Sequence, residues 1–182
     1  MKIIGLLLSL TLTIISPHQL SLAADQPPTK PALTPDKPAA NAQSKQLFKQ
    51  QLAENLERAK QIEQGRLWYA GFGLDSGSKA FRGDVDLVQK RISQINPLRL
   101  SFVMDNHQQT ENLDRPFAHL GNINELLKHI GKHKRDTDVL VLFLSAHGNI
   151  PFLATEIGDQ RYADIQATQL ATALEQVKDL PS

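Results

Sequence analysis

Six consecutive apolar residues, Val139 to Leu144, stand between Asp138 and Ser145. No polar residue alternates with them, so a strand built from them has to be buried on both faces. Strands of that kind belong to the interior of parallel sheets covered by helices. Val and Phe within the run favour a strand over a helix. Ser145, Ala146, His147 and Gly148 follow directly. In open parallel sheets, ligands and reacting groups lie just beyond the carboxyl ends of the strands. A histidine at that place, followed by glycine, is a candidate catalytic base.

The remaining chain supplies partners for such a strand. Leu47 to Gln64 reads as a helix with Leu52, Leu56, Ala59 and Ile62 inward, stopped by Gly65. Arg66 to Phe72 reads as a strand, and Gly71 to Ser78 as a flexible turn. Gly83 to Ile95 is a second helix, striped by Val85, Val88, Ile92 and Ile95 and ended by Asn96-Pro97. Leu98 to Met104 is a second strand. Asn122, with Glu125 three residues on, is expected to cap a third helix. After the apolar run, Ile150 to Asp164 suggests a hairpin over the sheet edge. Ala167 to Lys178 is the last helix, with Leu170, Leu174 and Val177 inward. Alternation of strands and helices argues an α/β fold, a mainly parallel sheet with helices on both faces.

Two stretches precede this domain. Lys2 followed by apolar Ile3 to Ile15, then Pro17 and Ser21-Leu22-Ala23-Ala24, has the pattern of a signal peptide over residues 1–24, with cleavage favoured after Ala23. The run is short for a membrane span, which needs about 20 apolar residues. The expected location is therefore secreted or periplasmic, with a membrane contact only if the segment stays uncleaved. Residues 25–44 carry Pro27, Pro28, Pro31, Pro35 and Pro38 and read as a Pro-rich linker. The folded domain is expected over residues 45–182.

Several chemistries are disfavoured. A net charge of +1 with mixed signs gives no nucleic-acid footprint. The chain has no cysteine, hence no disulfide and no thiol nucleophile of its own. The glycines near residues 71–77 match neither a dinucleotide fingerprint nor a P-loop, and Lys79 is followed by Ala80 rather than Ser or Thr. His129 and His133 lie four apart on one helix face. Lys128, Lys132, Lys134 and Arg135 around them favour a solvated basic helix end over a metal site. No cofactor and no metal are expected.

The order of elements and the position of His147-Gly148 resemble the caspase-like cysteine peptidases. Three stretches narrow the resemblance to the bacterial branch of the legumain (asparaginyl endopeptidase) family. They are Ser78-Lys79-Ala80-Phe81-Arg82-Gly83-Asp84-Val85, the strand Asp138 to Gly148 ending in Ser-x-His-Gly, and Gln169-Leu170-Ala171-Thr172-Ala173-Leu174 after the hairpin. The resemblance covers about Leu67 to Val177. It implies a three-layer caspase-like α/β/α sandwich, cysteine-type endopeptidase activity and a peptide or protein substrate. It further implies that His147 draws the proton from a thiol and later protonates the leaving amine. The backbone N–H of Gly148 would help to hold the developing oxyanion.

The family's cysteine lies at the end of the strand that follows the helix ending here near Lys178. Ser145, on the histidine's own strand, and the terminal Ser182 are not substitutes. The chain therefore reads as the histidine half of such a peptidase, incomplete at the C-terminus and inactive alone. Without the next strand, Val139 to Leu144 is expected to form a bare apolar edge that invites pairing. That edge supports a second reading, a non-catalytic secreted binding module that takes a strand from a protein partner.

Overall fold

A computed structural model describes residues 2–6, 38–63, 65–108, 112–149, 152–158 and 160–178. Most of the expected signal peptide, and the Pro-rich stretch up to residue 37, lie outside the described residues. The elements run β1 (Lys2–Leu6), α1 (Pro38–Lys60), β2 (Leu67–Gly73), α2 (Lys79–Ile95), β3 (Leu100–Asp105), α3 (Leu120–His133) and β4 (Val139–Ser145). Five two-residue strands follow: β5 (Gly148–Asn149), β6 (Phe152–Leu153), β7 (Glu156–Ile157), β8 (Gln160–Arg161) and β9 (Ile165–Gln166). Helix α4 (Ala167–Lys178) comes last. No helix among the described residues is long and apolar enough to cross a membrane.

Strands β2, β3 and β4 form a parallel sheet with β2 in the middle; Trp68 pairs with Leu100 on one side and Leu140 on the other. Side chains alternate between its faces. Trp68, Ala70 and Phe72, Leu100, Phe102 and Met104, and Leu140, Leu142 and Leu144 face one core with Phe48 and Ala59 of α1, α3 and α4. Tyr69, Val103, Val141 and Phe143 face the other, against Val85 of α2. Helices thus cover both faces, as the unbroken apolar strands require. Tyr69 is wholly buried, and its hydroxyl donates to the Val85 carbonyl at 2.9 Å. Burial, helped by the negative charge of Asp86, pushes this phenol well above its usual range.

The two flanks of the sheet are closed in different ways. Along β3, α1 substitutes side-chain amides for a neighbouring strand. Gln51 donates Nε2 to the Val103 carbonyl (3.0 Å) and accepts from the Val103 N–H (3.3 Å). Asn55, one turn on, does the same for Ser101 at 2.9 and 2.7 Å. On the opposite flank Lys2–Leu6 lies parallel to β4, in a register from Lys2↔Val139 to Leu6↔Phe143. The expectation of a bare β4 edge is therefore corrected: β4 is paired on both sides, and part of the segment read as purely a targeting signal stands in the sheet.

At the amino ends of the strands one carboxylate ties the layers together. Asp138 is 1% exposed. It accepts from the Arg66 backbone N–H (3.1 Å), from Arg66 Nε and Nη2 (3.0 and 2.7 Å), from Trp68 Nε1 (2.9 Å) and from the Arg135 N–H (2.9 Å). Burial alone would raise its pKa, but the bonds from Arg66, Trp68 and Arg135 outweigh that and hold the carboxyl below its usual value.

Three further boundaries differ from the sequence reading. Helix α1 begins at Pro38, not near Leu47, and buries Ala40, Ser44 and Phe48. The fold thus starts inside the stretch read as linker, because proline fits the first turn of a helix, where its missing N–H is not needed. The cap of α3 is His119, whose Nδ1 accepts from the Asn122 N–H, while Asn122 itself donates to the Phe117 carbonyl. The hairpin region holds two small antiparallel ladders, β5-β6-β9 and β7-β8.

Candidate functional site

The carboxyl ends of β2, β3 and β4 come level at Gly73, Asp105 and Ser145, which pair across the sheet. His147 lies two residues past that line and is exposed, as is Gly148. The chain direction here is set by backbone bonds: the Leu74 N–H donates to the Ser145 carbonyl (2.9 Å), and the Ala154 N–H to the His147 carbonyl (2.8 Å). Glycine is needed at 148, where a Cβ would lie 2.8 Å from the Phe152 carbonyl oxygen on the paired strand.

Among the described residues, the His147 ring rests edge-on against Phe81, with centroids 4.8 Å apart and planes at 80°. This is the favoured T-shaped aromatic arrangement. Phe81 is placed by the first turn of α2, which Ser78 caps by accepting from the Ala80 N–H. Ser145 is 2% exposed, and its hydroxyl donates to Asp84 Oδ2 at 2.7 Å, one turn after Phe81. Helix α2 therefore holds the end of β4 through a hydrogen bond and braces the histidine through a ring contact. Ser145 faces α2, buried and committed to Asp84, and is not placed to act as a nucleophile.

The turn after β2 is not the flexible loop that its glycines suggested. Asp75 is buried and accepts from the Gly77 N–H, the Ser76 carbonyl is bonded by His107 Nδ1 at 2.8 Å, and the Ser76 hydroxyl donates to the Gly158 carbonyl. Asn106, wholly buried, donates to the carbonyls of Leu74 and Ala118 and accepts from the Ala118 N–H. Among the described residues, the turns after β2 and β3 are thus fastened to each other and to the segment around Gly158. A rigid support of this kind suits a site whose groups must hold one geometry.

Two charged groups stand beside it. Asp105 is fully buried, with Arg82 Nη1 3.2 Å from its Oδ2. Burial pushes its carboxyl above the usual value, against the pull of the His107 N–H and of Arg82. Arg82 also grips Asp114 with both terminal nitrogens. Its guanidinium is therefore occupied on two sides. Neither Asp105 nor Asp84 bonds the imidazole; each is engaged elsewhere.

The His129 and His133 rings lie against each other with centroids 4.7 Å apart and planes tilted by 51°. They sit at the other end of the sheet, where the His133 carbonyl accepts from Arg66. Among the described residues no three His, Cys, Asp or Glu side chains are grouped to hold a metal ion. A cleft of about 350 Å3 lies between α1 and the start of α3, lined by Ser44, Lys45, Phe48, His119 and Tyr162 among others. Its Ser44 hydroxyl already holds the Phe117 N–H.

The arrangement brings the candidate residues His147 and Gly148 to one exposed corner. It adds Phe81, Asp84, Arg82, Asp105 and Asn106, to which the sequence reading assigned no role. The available signal was position: Asp105 and Asn106 follow an apolar strand directly, and Phe81 to Asp84 open the next helix. Comparison of the chain with protein-family models, with curated proteins and with solved structures returns no match.

Proposed function

We propose that this chain is the histidine-bearing half of a legumain-like cysteine-type endopeptidase with a three-layer caspase-like sandwich, acting outside the cytoplasmic membrane. The observation that carries the reading is the corner itself: an exposed imidazole at the carboxyl end of a central parallel strand, braced by Phe81, with Gly148 beside it. Among the described residues no carboxylate is bonded to this imidazole, and an open imidazole of that kind suits a thiol nucleophile. A thiol gives up its proton far more readily than a hydroxyl does, so a lone imidazole suffices as base.

The chain contains no cysteine, so the thiol comes from residues outside it and the chain alone is inactive. In the assembled site His147 accepts the thiol proton, and the thiolate attacks the scissile carbonyl carbon. The oxyanion forms next to the backbone N–H of Gly148; the missing side chain there makes room for the Phe152 carbonyl of the paired strand rather than for substrate. His147 then returns the proton to the departing amine, leaving a thioester that water hydrolyses. Phe81 limits the tilt of the ring, so the same nitrogen can face the thiol and then the amine.

The test is to read the source DNA beyond the codon for Ser182, express the longer chain it encodes and assay cleavage of a fluorogenic peptide panel. The expected result is an apolar strand ending in cysteine and a thiol-dependent cleavage that falls at least about a hundredfold on His147→Ala. Cleavage that survives this substitution, or an encoded continuation without cysteine, removes the reading.

A further inference from the structure

Among the described residues three large apolar side chains stand exposed: Leu87 at 56%, Ile95 at 76% and Leu98 at 62%. All belong to α2 and the turn that follows it. Leu87, Arg91 and Ile95 are spaced by four and share one face of α2, bordered by the exposed Lys90. The turn after the helix is closed by Asn96. Its N–H donates to the Ile92 carbonyl (2.9 Å), its side-chain oxygen accepts from the Leu98 N–H (3.0 Å), and its carbonyl accepts from the Arg99 N–H (3.3 Å). Ile95 and Leu98 are therefore held out on a braced tip.

The tip carries uncompensated positive charge. Arg99 follows Leu98, and its Nε is buried without a hydrogen-bond partner. Burial and the neighbouring charge of Arg58, near the end of α1, hold the Arg99 pKa below its usual value. Among the described residues no carboxylate is bonded to either guanidinium. Glu57, next to Arg58, is taken by Lys60 at 2.6 Å.

We propose that this tip docks on an anionic phospholipid surface. Ile95 and Leu98 enter the acyl boundary, and Lys90, Arg91, Arg99 and Arg58 meet the lipid phosphates. Apolar tips set among long cations fit a bilayer, because the charged ends stay in the headgroup layer while their stems lie along the apolar boundary. A protein partner would have to bury those charges together with the aliphatic groups, and the cores of protein interfaces are depleted of charge. The tip precedes the amino end of β3, whereas His147 lies past the carboxyl end of β4, so docking leaves that corner open. The β4 flank is separated from β3 by β2, so a strand added there does not cover the tip. The surface neither rests on the chemistry assigned to His147 nor competes with it.

The chain has no cysteine, so one introduced cysteine marks one position. The full chain with Leu98→Cys is labelled with a polarity-sensitive fluorophore. It is mixed with vesicles of phosphatidylglycerol and phosphatidylcholine, or of phosphatidylcholine alone. Lys79→Cys, at the opposite end of α2, is the labelled control. The expected result is a blue shift at position 98 with the anionic vesicles, quenched by spin-labelled acyl chains, and none at position 79. Adding Arg91→Gln and Ile95→Ser to the Leu98→Cys chain should raise the lipid concentration for half the shift about tenfold. Raising sodium chloride from about 0.05 to about 0.5 M should raise it as well.

The absence of a shift at position 98 overturns the proposal, including when the chain binds the vesicles through its apolar stretch Ile3 to Ile15. An equal shift with phosphatidylcholine alone, or a matching shift at position 79, does the same. A shift that appears without lipid as the protein is concentrated assigns the tip to a second copy of the chain and also overturns it.

Discussion

At the scale of single residues, the molecule depends most on Asp138. Its carboxylate collects N–H groups from Arg66, Trp68 and Arg135 in a space closed to water. Removing it strands the buried Arg66 guanidinium as well as three other donors. Asp138→Ala should therefore cost about 3–5 kcal/mol, the range for breaking a buried pair by deleting one partner. Asp138→Asn keeps one acceptor oxygen and should cost less. Urea unfolding followed by Trp68 fluorescence measures both, since the indole lies in the network. A loss below about 1 kcal/mol for the alanine variant would mean that water replaces the carboxylate. The position was open to sequence reading only as the last polar residue before an apolar run. Nothing in the spacing of Arg66, 72 residues earlier, announces the pair.

At the scale of elements, legibility followed the physical origin of each signal. Strand β4 stood out because burial on both faces leaves no polar residue between Val139 and Leu144, and β2 and β3 showed as mostly apolar runs, β3 interrupted by Ser101. Helix α4 stood out through its stripe and bounds. Helix α1 was placed with Leu52, Ala59 and Ile62 rightly inward but was misread in length. Its inward face includes Ser44, Gln51 and Asn55, which a hydropathy pattern assigns to solvent. Gln51 and Asn55 make sense there only beside the open β3 edge, and Ser44 only beside the Phe117 N–H, both tertiary facts. The corner around His147 was legible from the histidine and glycine after the strand. Its support by Phe81 and Asp84 was not, because it depends on how α2 lies across β4.

The amide seal on β3 can be tested as a unit. Asn55→Ala and Gln51→Ala retain good helix formers, so any loss reports the edge. Each single substitution exposes one N–H and one C=O of β3 and should cost about 1–3 kcal/mol. The double variant should also associate through the freed edge, visible as concentration-dependent light scattering. A double variant that remains monomeric and loses under about 0.5 kcal/mol would show that the helix body, not its amides, shields the strand.

At the scale of the whole molecule, the buried titratable groups set an acid limit in two stages. His119 is held below 6.5 by burial. His129 is held down to about 4, first by burial and then by the nearby charges of His133 and Lys132. A base whose folded pKa is lowered binds fewer protons in the fold than in the unfolded chain. Its contribution is present above pH 6.5 and is lost as the pH falls from 6.5 through the folded value. For His129 the gap from 6.5 to about 4 corresponds to about 3 kcal/mol at most, and partial exposure of the ring reduces it to about 1–2 kcal/mol.

Asp138 acts in the second stage. Its folded pKa lies below the ordinary 3.8, so its contribution is complete above that value and is lost as the pH falls through the lower one. Asp105 opposes it. Its folded pKa is raised, so the fold holds that proton more tightly, and stability falls as the pH rises from 3.8 through the raised value. The stability profile should therefore drop from pH 6.5 toward 4, flatten where Asp105 takes up its proton, and drop again below 3.8. Urea midpoints measured at half-unit steps from pH 7.5 to 3 give the profile. His129→Gln should remove much of the upper limb and leave the lower one, while Asp105→Asn should turn the shoulder above pH 3.8 into a continuous decline. An upper limb that survives in both His129→Gln and His119→Gln would assign the acid sensitivity to other groups. It would also mean that neither histidine is held neutral by the packing of α3.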